Sequence, residues 1–264
     1  MLQTRQYYSS LSTTHISLLR KKQINKMKLD ILAIGAHPDD VELSCAGTVA
    51  KEIDRGKTVG ILDLTRGEMG TRGTAQTRAD EAAEAARILG IEIRLNLGFA
   101  DALFENNFAN QLEVIKILRK YRPEIVLCNA VDDRHIDHGK ASKLVSEACF
   151  LSGLRKIETT FENEKQEAWR PKLVYHYIQW KNLSPEIVVD ISGYMDIKLA
   201  SVMAYKTQVY DKNSTEPKTP ISDDNFLDSI TYRARDLGRL IGTDHAEGYT
   251  VERYPAVDSI FDLI

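Results

Sequence analysis

Four times before residue 154, an apolar run of strand length ends in a loop and gives way to a stretch with helical spacing. "LDILAIG" (29–35) precedes "VELSCAGTVAKEIDR" (41–55), and "TVGILDL" (58–64) precedes "RADEAAEAARILG" (78–90). "IEIRLNLG" (91–98) precedes "FANQLEVIKILRKY" (108–121), and "RPEIVLCNA" (122–130) precedes "HGKASKLVSEACFLSG" (138–153). Period-3.6 segments between short apolar runs build right-handed crossovers. The spacing therefore predicts an α/β, Rossmann-like, mainly parallel sheet with helices on both faces. Further strands are expected at 172–180 and 186–191, further helices at 195–210 and 227–242, and a polar loop at 211–224.

Composition narrows the function classes. No run reaches the roughly 18 to 20 apolar residues that span a bilayer, so no membrane partner is expected. The cysteines Cys45, Cys128 and Cys149 have no C-x-x-C spacing, which disfavours a disulfide framework or thiolate zinc site and fits a reducing cytoplasm. Residues 1–26 carry Arg5, Arg20, Lys21, Lys22 and Lys26 and no acid. They read as a dispensable or mis-assigned extension before "MKLDILAIG", with a transit peptide as the competing reading. Residues 27–264 are expected to form a single domain. Setting the five positive charges aside leaves 30 basic residues against 38 acidic, a net charge of −8, which repels nucleic acid and anionic membrane.

Two polar clusters follow apolar runs. "HPDD" (37–40) comes after the first strand, and "DDRHIDHGKA" (132–141) comes after the fourth. In a doubly wound sheet, ligands bind beyond the carboxyl ends of strands where strand order reverses, and these two loops would face each other there. Two imidazoles and a carboxylate, with a position left for water, make a catalytic zinc or ferrous site. Adjacent Asp39 and Asp40 could divide the tasks of ligand and base. Each residue alone also has a plainer reading: Asp-Asp before a helix caps its N-terminus, and "DRHIDH" reads as a solvated charged turn. A nucleotide-binding module lacks its G-x-G-x-x-G or P-loop lysine here, and a non-catalytic metal-binding protein remains a third reading.

"GAHPDDVELSCAGT" together with "DDRHIDHGKA" resembles the two signature motifs of the PIG-L/LmbE-like zinc deacetylases. The resemblance runs from about residue 28 to about 250. Within the family it is nearest to the bacillithiol-biosynthesis branch, which acts on N-acetylglucosaminyl malate; "LTRGEMGTRGTAQTRADEA", "RLNLGFADA", "KTPIS" and "HAEGY" carry that likeness. The resemblance implies one Zn2+ per chain, with Fe2+ accepting the same ligands, held by His37, Asp40 and His138. It implies Asp39 as general base and His135 as a second acid/base group oriented by Asp137. It places Arg78 as a substrate-binding arginine, and Arg66 and Arg72 in the preceding loop could share a malate carboxylate. His245 is a candidate pocket residue. The implied partner is a small amino-sugar conjugate, and relatives are often trimers or hexamers, so a homo-oligomer is expected. Sister amidases of S-conjugates, N-acetylated disaccharides or other glycosides share the motifs. One departure stands out: some relatives carry a tyrosine after "KTP" that assists the oxyanion, and here "ISDDNF" follows.

Overall fold

The computed structural model describes residues 28–209 and 215–263. The expected extension at 1–26, the end of the expected helix 195–210 and part of the loop 211–224 lie outside the described residues. The first four strand–helix pairs are β1 (Ile31–Gly35), α1 (Asp40–Asp54), β2 (Val59–Thr65), α2 (Ala75–Leu89), β3 (Ile93–Phe99), α3 (Phe108–Tyr121), β4 (Ile125–Cys128) and α4 (Ile136–Ser152). A short hairpin follows, β5 (Thr160–Phe161) and β6 (Glu164–Lys165). The chain then runs through β7 (Leu173–Tyr177), β8 (Ile187–Asp190), α5 (Met195–Met203), α6 (Phe226–Ile241) and β9 (Ala246–Val251).

Seven strands form one sheet in the order β3-β2-β1-β4-β7-β9-β8. β3, β2, β1, β4 and β7 pair in parallel, while β9 runs antiparallel between β7 and β8. Strands β1 and β4 are neighbours where the order reverses, so the expected Rossmann-like sheet is present and its switch point opens above them. Every residue of β1 and β2 is buried, as continuous Val/Ile/Leu-rich runs covered on both faces must be. Leu32, Ile34, Leu62 and Leu64 pack against Val114, Leu118, Leu144 and Val145 of α3 and α4. Ala33 and Ile61 face the other way, onto Val41, Cys45 and Val49 of α1 and Leu89 of α2. Alternation along each strand thus feeds two cores, one per face.

The strand β9 is not expected from the sequence. Its "AEGYTV" segment carries Glu247 and Gly248, which lower strand propensity; buried Glu247 is paired with Lys198 and accepts from the Gly47 N–H and from the N–H and Oγ1 of Thr48. The helix expected over 195–210 ends at Met203.

Candidate metal and catalytic centre

The two polar clusters meet. β1 ends at Gly35, where an added Cβ would lie 2.9 Å from the His37 carbonyl oxygen and 3.0 Å from Asp40 Cβ; only glycine lets the loop fold back this tightly. The Ala36 N–H donates to Asn129 Oδ1 after β4 (2.8 Å), and its carbonyl accepts from the N–H and Oγ1 of Thr65 at the end of β2. The switch-point loops are stitched together by these bonds. Asp39 then takes φ 108°, and its side chain makes no capping hydrogen bond to α1. A non-glycine residue held there stores backbone strain, which persists only where the surroundings over-determine it. The capping role does not account for Asp39.

Asp40 is the hub. Its Oδ2 lies 3.5 Å from His37 Nδ1, and its Oδ1 lies 3.2 Å from His138 Nε2. Three further donors hold the carboxylate: the His37 N–H (2.9 Å), Asn129 Nδ2 (3.0 Å) and Gln179 Nε2 (2.7 Å). The far nitrogens of both rings are claimed by carboxylates. His138 Nδ1 donates to Asp133 Oδ2 at 2.6 Å, and His37 Nε2 faces Asp101 Oδ1 at 3.1 Å and Asp137 Oδ2 at 3.3 Å. Carboxylates only accept, so in the neutral rings the lone pairs sit on His37 Nδ1 and His138 Nε2, both toward Asp40. An imidazole whose other N–H is held by a carboxylate is the usual arrangement around a bound metal.

The electrostatics point the same way. Burial works against charging His138, yet the Asp40 carboxylate and the Asp133 hydrogen bond push it up to about 9. Burial likewise opposes His37, but Asp101, Asp137 and Asp40 raise it well above the ordinary imidazole range. Asp40 is held well below the carboxylate range despite its burial, by His138 and His37. The pocket therefore favours positive charge at this point, a condition that a divalent cation meets. Among the described residues, two trios bring ligating atoms within 4.8 Å of one another: His37 with His135 and His138, and His37 with Asp101 and Asp137. Neither trio includes Asp40, which meets the rings of His37 and His138 through different oxygens; the imidazole and carboxylate donors gathered here are of the types that hold a divalent ion.

Asp39 stands beside the hub, its Oδ2 3.1 Å from Arg78 Nη2. Burial raises its pKa to about 7, with Arg78 pulling the other way. That value suits a group that must accept and release a proton near neutrality. His135 caps α4, and its Nδ1 accepts from the Asp137 N–H at 3.3 Å. One expectation is corrected here. The Asp137 carboxylate goes to His37, the Ala102 N–H and Lys140, so it orients His37 and not the His135 ring. Burial and the neighbouring His37 and His138 lower the pKa of His135.

These groups line one cavity of about 700 Å³. Arg78 lines it, but its guanidinium is committed to Asp39 and to the Pro38 carbonyl. The other expected substrate contacts fall elsewhere. Arg66 is exposed, lies over Gly98 and belongs to a separate cavity of about 260 Å³. Arg72 is buried outside the site, bonded to Glu216 and the Val209 carbonyl. His245 is half-buried, and its backbone bonds Ser192 and Ile191; it does not line the cavity. Asn225 and Phe226 do. Sequence reasoning missed Asn129, Gln179, Asp101 and Asp133, although Asn129 ends the fourth apolar run and Asp133 lies inside the second cluster.

A family profile described as PIG-L, GlcNAc-PI de-N-acetylase, matches residues 32–149. A diacetylchitobiose deacetylase of Thermococcus kodakarensis is 31% identical over 188 residues, which covers 67% of this chain and 69% of that one. The uncharacterized deacetylase YaiS of Escherichia coli is 30% identical over 190 residues, covering 69% of this chain and 93% of the relative. Among solved structures, the conserved protein TT1542 from Thermus thermophilus superposes with a TM-score of 0.78 at 35% identity, over 88% of this chain and 98% of that one. With the two motifs brought to one cavity on this sheet, the chain belongs to the PIG-L family of de-N-acetylases, hydrolases that cleave amide C–N bonds.

Proposed function

We propose that this chain is a zinc-dependent deacetylase of an N-acetylglucosaminyl conjugate, with N-acetylglucosaminyl malate as its substrate. The observation that carries the reading is the convergence of His37 Nδ1 and His138 Nε2 on the two oxygens of Asp40, with Asp39 alongside. His37, Asp40 and His138 would hold the ion, which when bound supplies Lewis acidity and a water of lowered pKa. Asp39 takes the proton of the attacking water, steadied by Arg78. Because the His135 Nδ1 accepts from the backbone, the proton of the neutral ring sits on Nε2. That N–H donates to the amide oxygen as charge develops on it. When the C–N bond breaks, the proton held by Asp39 passes to the leaving amine, giving acetate and the free amino sugar.

The three cysteines are free and buried, in keeping with a reducing cytoplasm. Among the described residues no helix is long and apolar enough to cross a membrane.

The test is amine release by the purified, metal-analysed protein from N-acetylglucosaminyl malate, diacetylchitobiose and a thiol S-conjugate amide in parallel. The reading requires zinc or iron near one equivalent and the highest kcat/KM on the malate conjugate. Equal or higher efficiency on the disaccharide would reassign the substrate, and turnover that survives complete metal removal would remove the mechanism.

A further inference from the structure

Among the described residues, four lysine or arginine side chains line the large cavity: Arg78, Lys198, Arg134 and Arg233. Two are neutralised by buried carboxylates. Arg78 pairs with Asp39 at 3.1 Å, and Lys198 pairs with Glu247 at 2.6 Å. The other two form no ion pair among the described residues. The Arg134 guanidinium is exposed and sits 4.6 Å from the centre of the Trp180 ring. Arg233 reaches from α6 to donate to the Trp180 carbonyl and to Asn182 Oδ1, and its Nε is buried with no hydrogen-bond partner. Asp133 is the acid whose charge acts on Arg233, but its oxygens are taken by His138 Nδ1 and by the N–H groups of Trp180 and Lys181.

One residue, Trp180, thus gathers two guanidinium groups at the cavity wall, one over its ring and one at its carbonyl. Bringing like charges together is unfavourable unless an anion joins them, and a planar guanidinium offers paired N–H donors matched to a carboxylate. Arg134 precedes His135 in the chain, so the pair adjoins the reacting centre without belonging to it. The arginines first considered for this task lie elsewhere: Arg78 is committed to Asp39, Arg72 to Glu216, and Arg66 lines the separate, smaller cavity.

We propose that Arg134 and Arg233 form a carboxylate-binding subsite that selects amino sugars carrying an acidic aglycone. This rests on the deacetylase reading above and goes further by locating the specificity. The test compares kcat/KM for N-acetylglucosaminyl malate and for neutral methyl N-acetylglucosaminide, in the wild type, Arg134→Ala and Arg233→Ala. Each substitution should lower the preference for the anionic over the neutral substrate by about tenfold or more, chiefly through KM, as loss of a charge-assisted hydrogen bond does. Arg134→Lys and Arg233→Lys keep the charge but lose the fork, and should fall in between. Calorimetric titration with free L-malate is the second readout: the wild type should bind it, and the alanine variants should bind at least tenfold more weakly. A preference that does not change in either alanine variant overturns the subsite, as does a wild type that neither prefers the anionic substrate nor binds malate. If neither sugar is hydrolysed, the deacetylase reading fails, and malate binding still decides on the subsite.

Discussion

Asp133 Oδ2 lies 2.6 Å from His138 Nδ1, while the other oxygen of the same carboxylate accepts the N–H groups of Trp180 and Lys181. The acid is thus fixed by the backbone beyond β7 and in turn fixes the imidazole ring. Its proton demand leaves the lone pair of the neutral ring on His138 Nε2, toward Asp40. Asp133→Ala should weaken zinc binding 10- to 100-fold, the usual consequence of losing such a partner. Chelator competition on the purified variant measures it, and an unchanged affinity would show that the ring needs no such support.

Asp39 is paired with Arg78 and set at φ 108°. Asn tolerates positive φ better than most residues, so Asp39→Asn keeps the loop while removing the proposed base. Turnover should drop by about 10²- to 10⁴-fold with the metal content unchanged. Metal analysis beside steady-state kinetics separates the two, and activity within a few-fold of wild type would exclude Asp39 as the base.

Much of this is legible in the sequence. The strand–helix alternation up to Ser152 is strong because buried parallel strands must read as unbroken apolar runs, and the "HPDD" and "DDRHIDH" clusters interrupt them abruptly. What stays hidden depends on partners distant in the chain. Nothing local marks Asn129 or Gln179 as holding Asp40, since each matters only once β4 lies beside β1 and β7 beside β4. The roles of Asp137 and Arg78 escape for the same reason: two residues of separation suggest a partnership of Asp137 with His135, whereas the fold delivers His37, a hundred positions away. β9 is hidden because its buried Glu247 is explained only by partners on other elements, Lys198 on α5 and Gly47 and Thr48 on α1.

Gly35 tests the tight turn directly. A methyl group there meets the His37 carbonyl at 2.9 Å, and that backbone cannot retreat without moving Asp40. Gly35→Ala should cost about 1 to 3 kcal/mol of stability, as overpacking does, and weaken metal binding along with it. Denaturant unfolding and metal titration on one sample check both. Wild-type values in each would mean that the loop has slack that the geometry does not show.

His176 sits buried on β7, with Nε2 3.1 Å from Glu252 and Nδ1 3.0 Å from the Asn129 carbonyl. Burial opposes its charge, but Cys128, Glu252 and that carbonyl outweigh it and push the pKa up to about 11. Glu252 is held below the usual carboxylate range. A folded pKa above the unfolded value of about 6.5 contributes stability that is full below pH ~6.5 and fades as pH rises toward 11. The stability advantage of wild type over His176→Gln should therefore be larger at pH 6 than at pH 9, by about 3 kcal/mol. Urea unfolding at the two pH values measures it; a difference that is flat with pH would mean that the ring is neutral in the fold.

Behind the loop that carries Asp39 and Asp40, Arg94 binds Asp63 through Nε (2.8 Å) and Nη2 (2.9 Å), and Glu42 Oε1 through Nη1. Glu42 is wholly buried, its second oxygen has no hydrogen-bond partner, and it stands two residues after Asp40 in the first turn of α1. A buried triad of this kind is costly to break and cheap to replace entirely. Arg94→Met leaves two carboxylates facing each other without a counter-charge and should cost about 3 to 5 kcal/mol. The triple variant Arg94→Met, Glu42→Gln, Asp63→Leu should recover most of that loss, because no buried charge remains. Denaturant unfolding of both at pH 7 decides between charge and shape: a triple variant as unstable as the single one would show that Arg94 matters for packing alone. If the charge account holds, the single variant should also bind zinc more weakly than the triple, since the strain it leaves falls on the turn that presents Asp40.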